Sequence, residues 1–267
     1  MQLAQARGVQ AGPRGTSPVV AVRVVVAGAT GKTGSEAAKA IHAAPDLQLV
    51  AAVARARVGE DLGVLLEGTP WQVQLSDDME GVLRASAADV LVDFTLGESA
   101  GRHATAALRA GVRPIVGATG LPKEAIQEIH DLARERQLGA MLIPNFSFGV
   151  LLLQRFCREA LRFFPDVEVV ELHHDQKRDR PSGTARQLQS VLEANGAHAP
   201  VPVHSVRLPG LVAHHEVLFG GPGETMTVRH DTLSRASFGP GIVLAVRKAP
   251  MLRGQVIEGL EGLLEID

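Results

Sequence analysis

Residues 19–27, Val-Val-Ala-Val-Arg-Val-Val-Val-Ala, are apolar at every position but one. A β-branched run of this kind predicts a strand covered on both faces, as in the middle of a parallel sheet. A turn of small residues over 28–34 follows, then a helical pattern over 35–44 that Pro45 ends. The alternation repeats. Strands are predicted over 47–53, 89–95, 112–116 and 140–143, with helical patterns over 98–110 and 122–138 between the later ones. The second of these helices is amphipathic and has Pro122 near its start. Strands alternating with helices predict an α/β fold with a doubly wound, Rossmann-like parallel sheet. Ligands of such sheets bind beyond the strands' carboxyl ends, where the turns at 28–34, 93–95, 117–120 and 143–147 fall.

After residue 147 the pattern changes. A helix over 149–164 precedes a strand over 167–172, and a further helix runs over 184–195 with Gly196 as its stop. Strands over 203–207, 214–219 and 224–230 then predict a smaller α+β unit of mostly antiparallel strands, before a helical pattern returns in the last 30 residues. The expected division is therefore 19–146 with 236–267 as the nucleotide-binding domain and 147–235 as the substrate domain. Residues 1–18 lack the apolar stretch of a signal peptide and have too little hydrophobic content to join a core, so they are expected to be a mobile extension.

Composition narrows the classes. A net charge of −2 gives no basic excess for binding a phosphate backbone. The single cysteine, Cys157, excludes an internal disulfide and a Cys-rich zinc site, and its apolar helical setting predicts a buried inert thiol. No apolar run approaches the ~18 residues of a membrane span, so a cytoplasmic protein is expected.

Two stretches carry candidate chemistry. In the first, glycines at 28, 31 and 34 let the backbone turn tightly against a pyrophosphate resting on a helix N-terminus. The spacing is G-x-x-G-x-x-G rather than the commoner G-x-G-x-x-G. Gly31-Lys32-Thr33 invites a nucleoside-triphosphatase reading, but that loop needs four residues between its glycines and has two here. At the end of the second strand Ala54 stands where an acidic residue binds the NAD ribose, and Arg55 and Arg57 follow. In an extended chain the two arginines share a side, so Arg55 in particular is a candidate for the 2′-phosphate of NADPH. The second stretch is 171–184, Glu-Leu-His-His-Asp-Gln-Lys-Arg-Asp-Arg-Pro-Ser-Gly-Thr. Pro181 suits a first helical turn, Ser182 a cap, and the N–H groups of Gly183 and Thr184 would face an anion. With His173 and Lys177 beside them, this loop suggests proton transfer to a small anionic substrate.

The same loop, with Gly28–Gly34, Val92-Asp-Phe-Thr95, Gly117-Ala-Thr-Gly120, Pro144-Asn-Phe-Ser147 and His204-Ser-Val-Arg-Leu-Pro-Gly210, resembles the 4-hydroxy-tetrahydrodipicolinate (dihydrodipicolinate) reductase family. The resemblance covers nearly everything after residue 19. It implies a two-domain enzyme of lysine and diaminopimelate synthesis, a homotetramer assembled through the second domain, reducing a cyclic imine dicarboxylate with NADPH or NADH. By position, His173 matches the family's proton donor/acceptor and Lys177 its proton donor. His174, Gly183 and Thr184 match substrate positions, with Ser182 beside them. Cofactor positions match at Gly28, Ala29, Thr30, Gly31, Lys32 and Thr33, at Gly117, Ala118 and Thr119, and at Ile143, Pro144, Asn145 and Phe146. Arg180 departs from the family, which usually has alanine there.

Competing readings fare worse. A short-chain dehydrogenase needs a Tyr-x-x-x-Lys, and the chain has no tyrosine. An NADP-binding sensor without turnover would have no need of the His173/Lys177 pair. His173, His174, His214 and His215 include no helical i, i+4 pair with a third ligand, so no metal is expected.

Overall fold

Seven parallel strands form the larger sheet in the computed structural model, which describes residues 21–265. In chain order they and their helices are β1 (Val22–Ala27), α1 (Lys32–His42), β2 (Leu47–Val53), α2 (Leu62–Glu67), β3 (Leu75–Ser76) and α3 (Met79–Ala85). Then come β4 (Val90–Asp93), α4 (Gly97–Arg109), β5 (Arg113–Val116), α5 (Lys123–Arg136) and β6 (Ala140–Leu142). The expected extension over 1–18 and the first residues of the first strand lie outside the described residues.

Both faces of β1 are covered, which is why its sequence shows no alternation. Val24 and Val26 pack with Ala37, Ala38 and Ile41 of α1. Val25 and Ala27 pack on the opposite face with Met79 and Leu83 of α3 and Ala107 of α4. All four β1 side chains are fully buried. At about 25 cal/mol per Å² of apolar surface removed from water, burial on both faces stabilises the centre of the sheet.

The smaller unit follows as α6 (Phe148–Leu161), β7 (Asp166–His173), α7 (Gly183–Ala194), β8 (Val203–Arg207), β9 (Ala213–Gly221) and β10 (Glu224–Thr232). Its strands are ordered β10-β9-β7-β8, with β7 and β8 parallel and the other pairs antiparallel. Leu153, Cys157 and Leu161 of α6 and Leu188 and Leu192 of α7 cover one face, against Val169, Val217 and Phe219. Burial pushes the Cys157 thiol up to about 12, so it is the inert core residue expected.

The chain then returns to the first sheet. α8 (Gly239–Lys248) buries Ile242, Ala245 and Val246 in the core shared with α1, and β11 (Val256–Glu258) pairs in parallel with β6. The full order is β11-β6-β5-β4-β1-β2-β3.

Four differences from the sequence reading have physical reasons. α1 begins at Lys32, inside the glycine turn, because Gly34 packs on the turn: a Cβ there would lie 2.1 Å from the Gly28 carbonyl oxygen. α2, β3 and α3 were not predicted; elements of two to seven residues are too short to show a period. β11 was hidden in a helical expectation for the same reason. Pro181 precedes the helix cap instead of entering the first turn, since Ser182 is the N-cap of α7.

Candidate functional site

β1 delivers Gly28 to the carboxyl edge of the larger sheet with a left-handed φ of 72°, and a Cβ there would sit 2.9 Å from the Phe94 carbonyl oxygen. Only glycine suits both constraints. The N-cap of α1 is Gly31, with no side-chain cap and no acidic residue in the first turn. Its first-turn N–H groups are left for an anion. A cavity of about 570 Å³ opens there, lined by Gly28, Thr30, Gly31, Ala54, Arg55 and His103 among others. That volume suits a small-molecule ligand. Lys32 and Thr33 stand on the first turn of α1 outside this lining, and buried Ala29 offers only its backbone.

Arg55 and Arg57 do not act together. Arg57 has a φ of 66°, so the chain is not extended there, and its guanidinium pairs with Glu60 at 2.9 Å. Arg55 alone lines the cavity. At the end of β4, fully buried Asp93 accepts from the N–H and hydroxyl of Thr95 at 2.7 and 2.6 Å. Its other oxygen meets His103 Nδ1 at 2.6 Å, which fixes the imidazole at the cavity's edge. His103 was missed in the sequence because it lies on a helix ten residues from the strand end that orients it.

Gly117, Ala118 and Thr119 follow β5, and residues 143–146 follow β6, so both turns lie at the same sheet edge. Ile143 and Phe146 are core residues, 0 and 2% exposed, and only their backbones are free for a ligand. Asn145 points elsewhere: its Nδ2 donates to Thr184 Oγ1 at 3.4 Å. The contact joins the turn after β6 to the first turn of α7.

Strand alternation sets that loop's chemistry. Glu171 and His173, two apart on β7, share a face. Glu171 is fully buried, and its Oε1 accepts from the Ser182 N–H at 3.2 Å, Ser205 Oγ at 2.6 Å and Arg207 Nη2 at 2.7 Å. Burial alone would raise its pKa, but these donors override it and hold the carboxyl at about 2. Arg207 also donates to the carbonyls of Asp179 at 2.7 Å and Lys177 at 3.3 Å, which fastens the loop.

His173 Nδ1 lies 2.9 Å from Glu171 Oε2, off the line of a good hydrogen bond. Burial lowers the His173 pKa to about 4 against the pull of Glu171. His215 meets the His173 ring edge to face at 5.4 Å, and burial brings it too to about 4. Lys177 Nζ pairs with Asp179 at 2.8 Å and holds that carboxyl below its ordinary range. Half-buried His174 follows His173, and Arg180 is exposed.

Ser182 caps α7 as expected. Its hydroxyl accepts from the Ala185 N–H at 3.1 Å, and at 2% exposed it turns inward. Gly183 and Thr184 are more open, and a Cβ on Gly183 would meet nothing within 4 Å. Glu171 and Arg207 were not singled out from sequence, and His215 was weighed only as a metal ligand. The strand register joins them: Glu171 faces Ser205 on one side and His215 on the other, and His173 faces Arg207.

Among the described residues, Glu171, His173 and His215 form the one group whose ligand atoms fall within 4.8 Å of one another. Strands, not a helix, assemble it, so helical spacing could not find it. The guanidinium of Arg207 on Glu171 and the nearby Lys177 ammonium oppose a divalent cation there, and we do not read it as a metal site.

Two family models match the chain: dihydrodipicolinate reductase, N-terminus, over residues 22–146, and dihydrodipicolinate reductase, C-terminus, over 149–264. A 4-hydroxy-tetrahydrodipicolinate reductase of Moorella thermoacetica is 43% identical over 266 residues, covering 92% of this chain and 99% of the relative. One from Synechococcus elongatus is 43% identical over 270 residues, covering 91% and 98%. The solved structure of dipicolinate-bound dihydrodipicolinate reductase from Paenisporosarcina sp. TG-14 superposes with a TM-score of 0.79 at 32% identity, covering 90% of this chain and 98% of that one.

Proposed function

The chain belongs to the dihydrodipicolinate reductase family, and on that premise we infer that it reduces 4-hydroxy-tetrahydrodipicolinate to tetrahydrodipicolinate with NADPH or NADH, a step of diaminopimelate and lysine synthesis. The observation that carries the placement of the reaction is the Asn145–Thr184 contact, which sets the substrate loop beside the nucleotide turns.

The glycine turn fits a dinucleotide: a Cβ at Gly28 or Gly34 would strike backbone, and the uncapped start of α1 suits a pyrophosphate. Gly28, Thr30 and Gly31, with backbone groups of Ala29, Ile143, Asn145 and Phe146, would hold it, and Gly117–Thr119 with Pro144 would face its nicotinamide end. Bound there, the reduced nicotinamide supplies the hydride. The residues of the loop do the rest. One substrate carboxylate lies on the Gly183 and Thr184 N–H groups, the other against His174 and Lys177. Loss of the 4-hydroxyl as water gives the conjugated imine. Hydride addition to it leaves an electron pair, which takes a proton from Lys177, with His173 as proton donor/acceptor, so that substrate, reduced nicotinamide and one proton give tetrahydrodipicolinate, oxidised nicotinamide and water.

We assign the nucleotide to 19–146 with 236–267, and the substrate and subunit contacts to 147–235. Exposed Leu208, Leu218 and Leu233 on or beside the smaller sheet support assembly of copies there, in a tetramer of the family's kind. Among the described residues no helix is long and apolar enough to cross a membrane, which accords with a cytoplasmic place. The test is loss of NADPH absorbance with freshly generated substrate. No oxidation above the substrate-free rate would defeat the proposal.

A further inference from the structure

We propose that Glu171 is a positioning residue of this site: its Oε2 holds His173 as the Nδ1–H tautomer, and its Oε1 ties that ring to the start of α7 and the Lys177 loop. The proposal rests on the reading above that His173 exchanges a proton with substrate. It goes further by naming what orients the imidazole.

Four observations converge on it. Glu171 is fully buried on the strand that presents His173, and its two oxygens have separate tasks. Oε1 gathers three donors: the N–H of the α7 cap, the Ser205 hydroxyl on β8 and Arg207, which itself holds the Lys177 and Asp179 carbonyls. One carboxylate oxygen thus joins the anion-binding helix start to the loop of the proton donor. Oε2 and His173 Nδ1 are both buried and otherwise without a hydrogen-bond partner, and they lie 2.9 Å apart. A small rotation of the ring aligns them, as substrate binding commonly does for catalytic hydrogen bonds. His215 closes the other side of the ring at 81° to it; both its own nitrogens lack partners, so it packs against His173 without competing for Nδ1. With the Nδ1 proton committed to a carboxylate, Nε2 is the atom left for substrate.

The experiment uses the full-length enzyme. Nitrogen-15 NMR of the histidine side chains reads the tautomer directly. The wild type is expected to show His173 as Nδ1–H. In Glu171→Gln an Nε2–H population should appear while kcat falls roughly 10²- to 10⁴-fold, the worth of a positioned proton-transfer group. NADPH Kd should stay within about twofold, because the nucleotide turns are untouched. Ser205→Ala removes one donor from Oε1 and keeps the carboxylate on Oε2, so it should retain the wild-type Nδ1–H tautomer. A wild-type His173 carrying its proton on Nε2, or a Glu171→Gln enzyme with tautomer and kcat unchanged, would overturn the proposal. Should Glu171→Gln fail to fold, the wild-type spectrum decides alone. His173→Asn tests the underlying reading separately: an unimpaired kcat there removes His173 from the reaction whatever its tautomer.

Discussion

Asn145 reaches Thr184 side chain to side chain at 3.4 Å across 39 residues of sequence. One belongs to the turn after β6 at the edge of the larger sheet, the other to the first turn of α7. Asn145 is held by its own Oδ1, which accepts the Ser147 N–H at 2.9 Å, and Ser147 in turn caps α6. The contact therefore links a rigid turn on the nucleotide side to the helix start on the substrate side. Thr184→Val keeps the shape but loses this bond and a hydroxyl. It should raise KM for the dicarboxylate more than it lowers kcat, in steady-state assays with substrate varied. An unchanged KM would move the anion site away from α7.

Gly183 sharpens that test. Since a Cβ there meets no protein atom, Gly183→Val should leave the melting temperature nearly unchanged while filling the space a carboxylate would occupy. A KM at least tenfold higher, with intact thermal unfolding, is the expected pair of results. A large loss of stability would show that the glycine serves the fold.

Lys177→Ala should lower kcat by roughly 10²- to 10⁴-fold, the usual contribution of a positioned acid, and leave NADPH affinity unchanged. Lys177 is one-quarter exposed and its ammonium rests on Asp179, so the partner it leaves to meet substrate is at hand. Asp179→Asn should weaken that resting contact and change kcat far less. Equal kcat in Lys177→Ala and wild type would remove the lysine from the chemistry.

Strands were legible where apolar and β-branched residues recur between turn signals. β2 occupies the expected 47–53, and β8 the expected 203–207. The glycine turn and the loop at 171–184 were legible because contiguous residues carry their chemistry. What was not legible depends on register between strands distant in sequence. Arg207 and His215 join Glu171 only once β8 and β9 pair with β7, and His103 joins Asp93 only once α4 packs on β4. Helical spacing rules had no purchase on a cluster assembled by three strands. The arginine pair at 55 and 57 misled for a related reason: the extended geometry assumed for it ends in a left-handed residue.

Acid should lower the stability of the protein over two overlapping pH ranges. His173 and His215 are held at about 4 by burial, below the ordinary 6.5. The unfolded chain therefore takes up their protons first, and their contribution to stability is complete above 6.5 and lost as pH falls toward 4. Glu171 is held at about 2, below its ordinary 4.5, so its contribution is complete above 4.5 and lost as pH falls toward 2. For this buried carboxylate that contribution is on the order of 3 kcal/mol. Because neither ring nitrogen of His215 has a partner, His215→Phe sacrifices no hydrogen bond. Urea unfolding between pH 7 and 4.5 should show a shallower loss of stability in this variant than in wild type. Parallel pH profiles would mean that His215 is not kept neutral by burial.

Cofactor preference turns on one arginine. An NAD-selective site of this fold places a carboxylate at the end of the second strand, where it binds the ribose hydroxyls and repels a 2′-phosphate. Ala54 can do neither. Arg55 lines the cavity next to it, whereas Arg57 is turned away by its backbone and neutralised by Glu60. A guanidinium on the 2′-phosphate makes a charge-assisted contact that NADH cannot match. NADPH should therefore be preferred, with NADH still used because nothing at Ala54 excludes it. Arg55→Ala should weaken NADPH binding by about 1.5–3 kcal/mol, the scale of a hydrogen bond to a charged group, and leave NADH nearly unaffected. Arg57→Ala should change neither. Asp77, on the same cavity, bears a charge of the wrong sign for a phosphate, so Asp77→Asn should tighten NADPH modestly in low salt. Ala54→Glu should turn the preference toward NADH. Comparing kcat/KM for the two cofactors across these variants separates the contributions: a wild type that favours NADH tenfold, or equal losses in Arg55→Ala and Arg57→Ala, would show that Arg55 is not the residue that reads the phosphate.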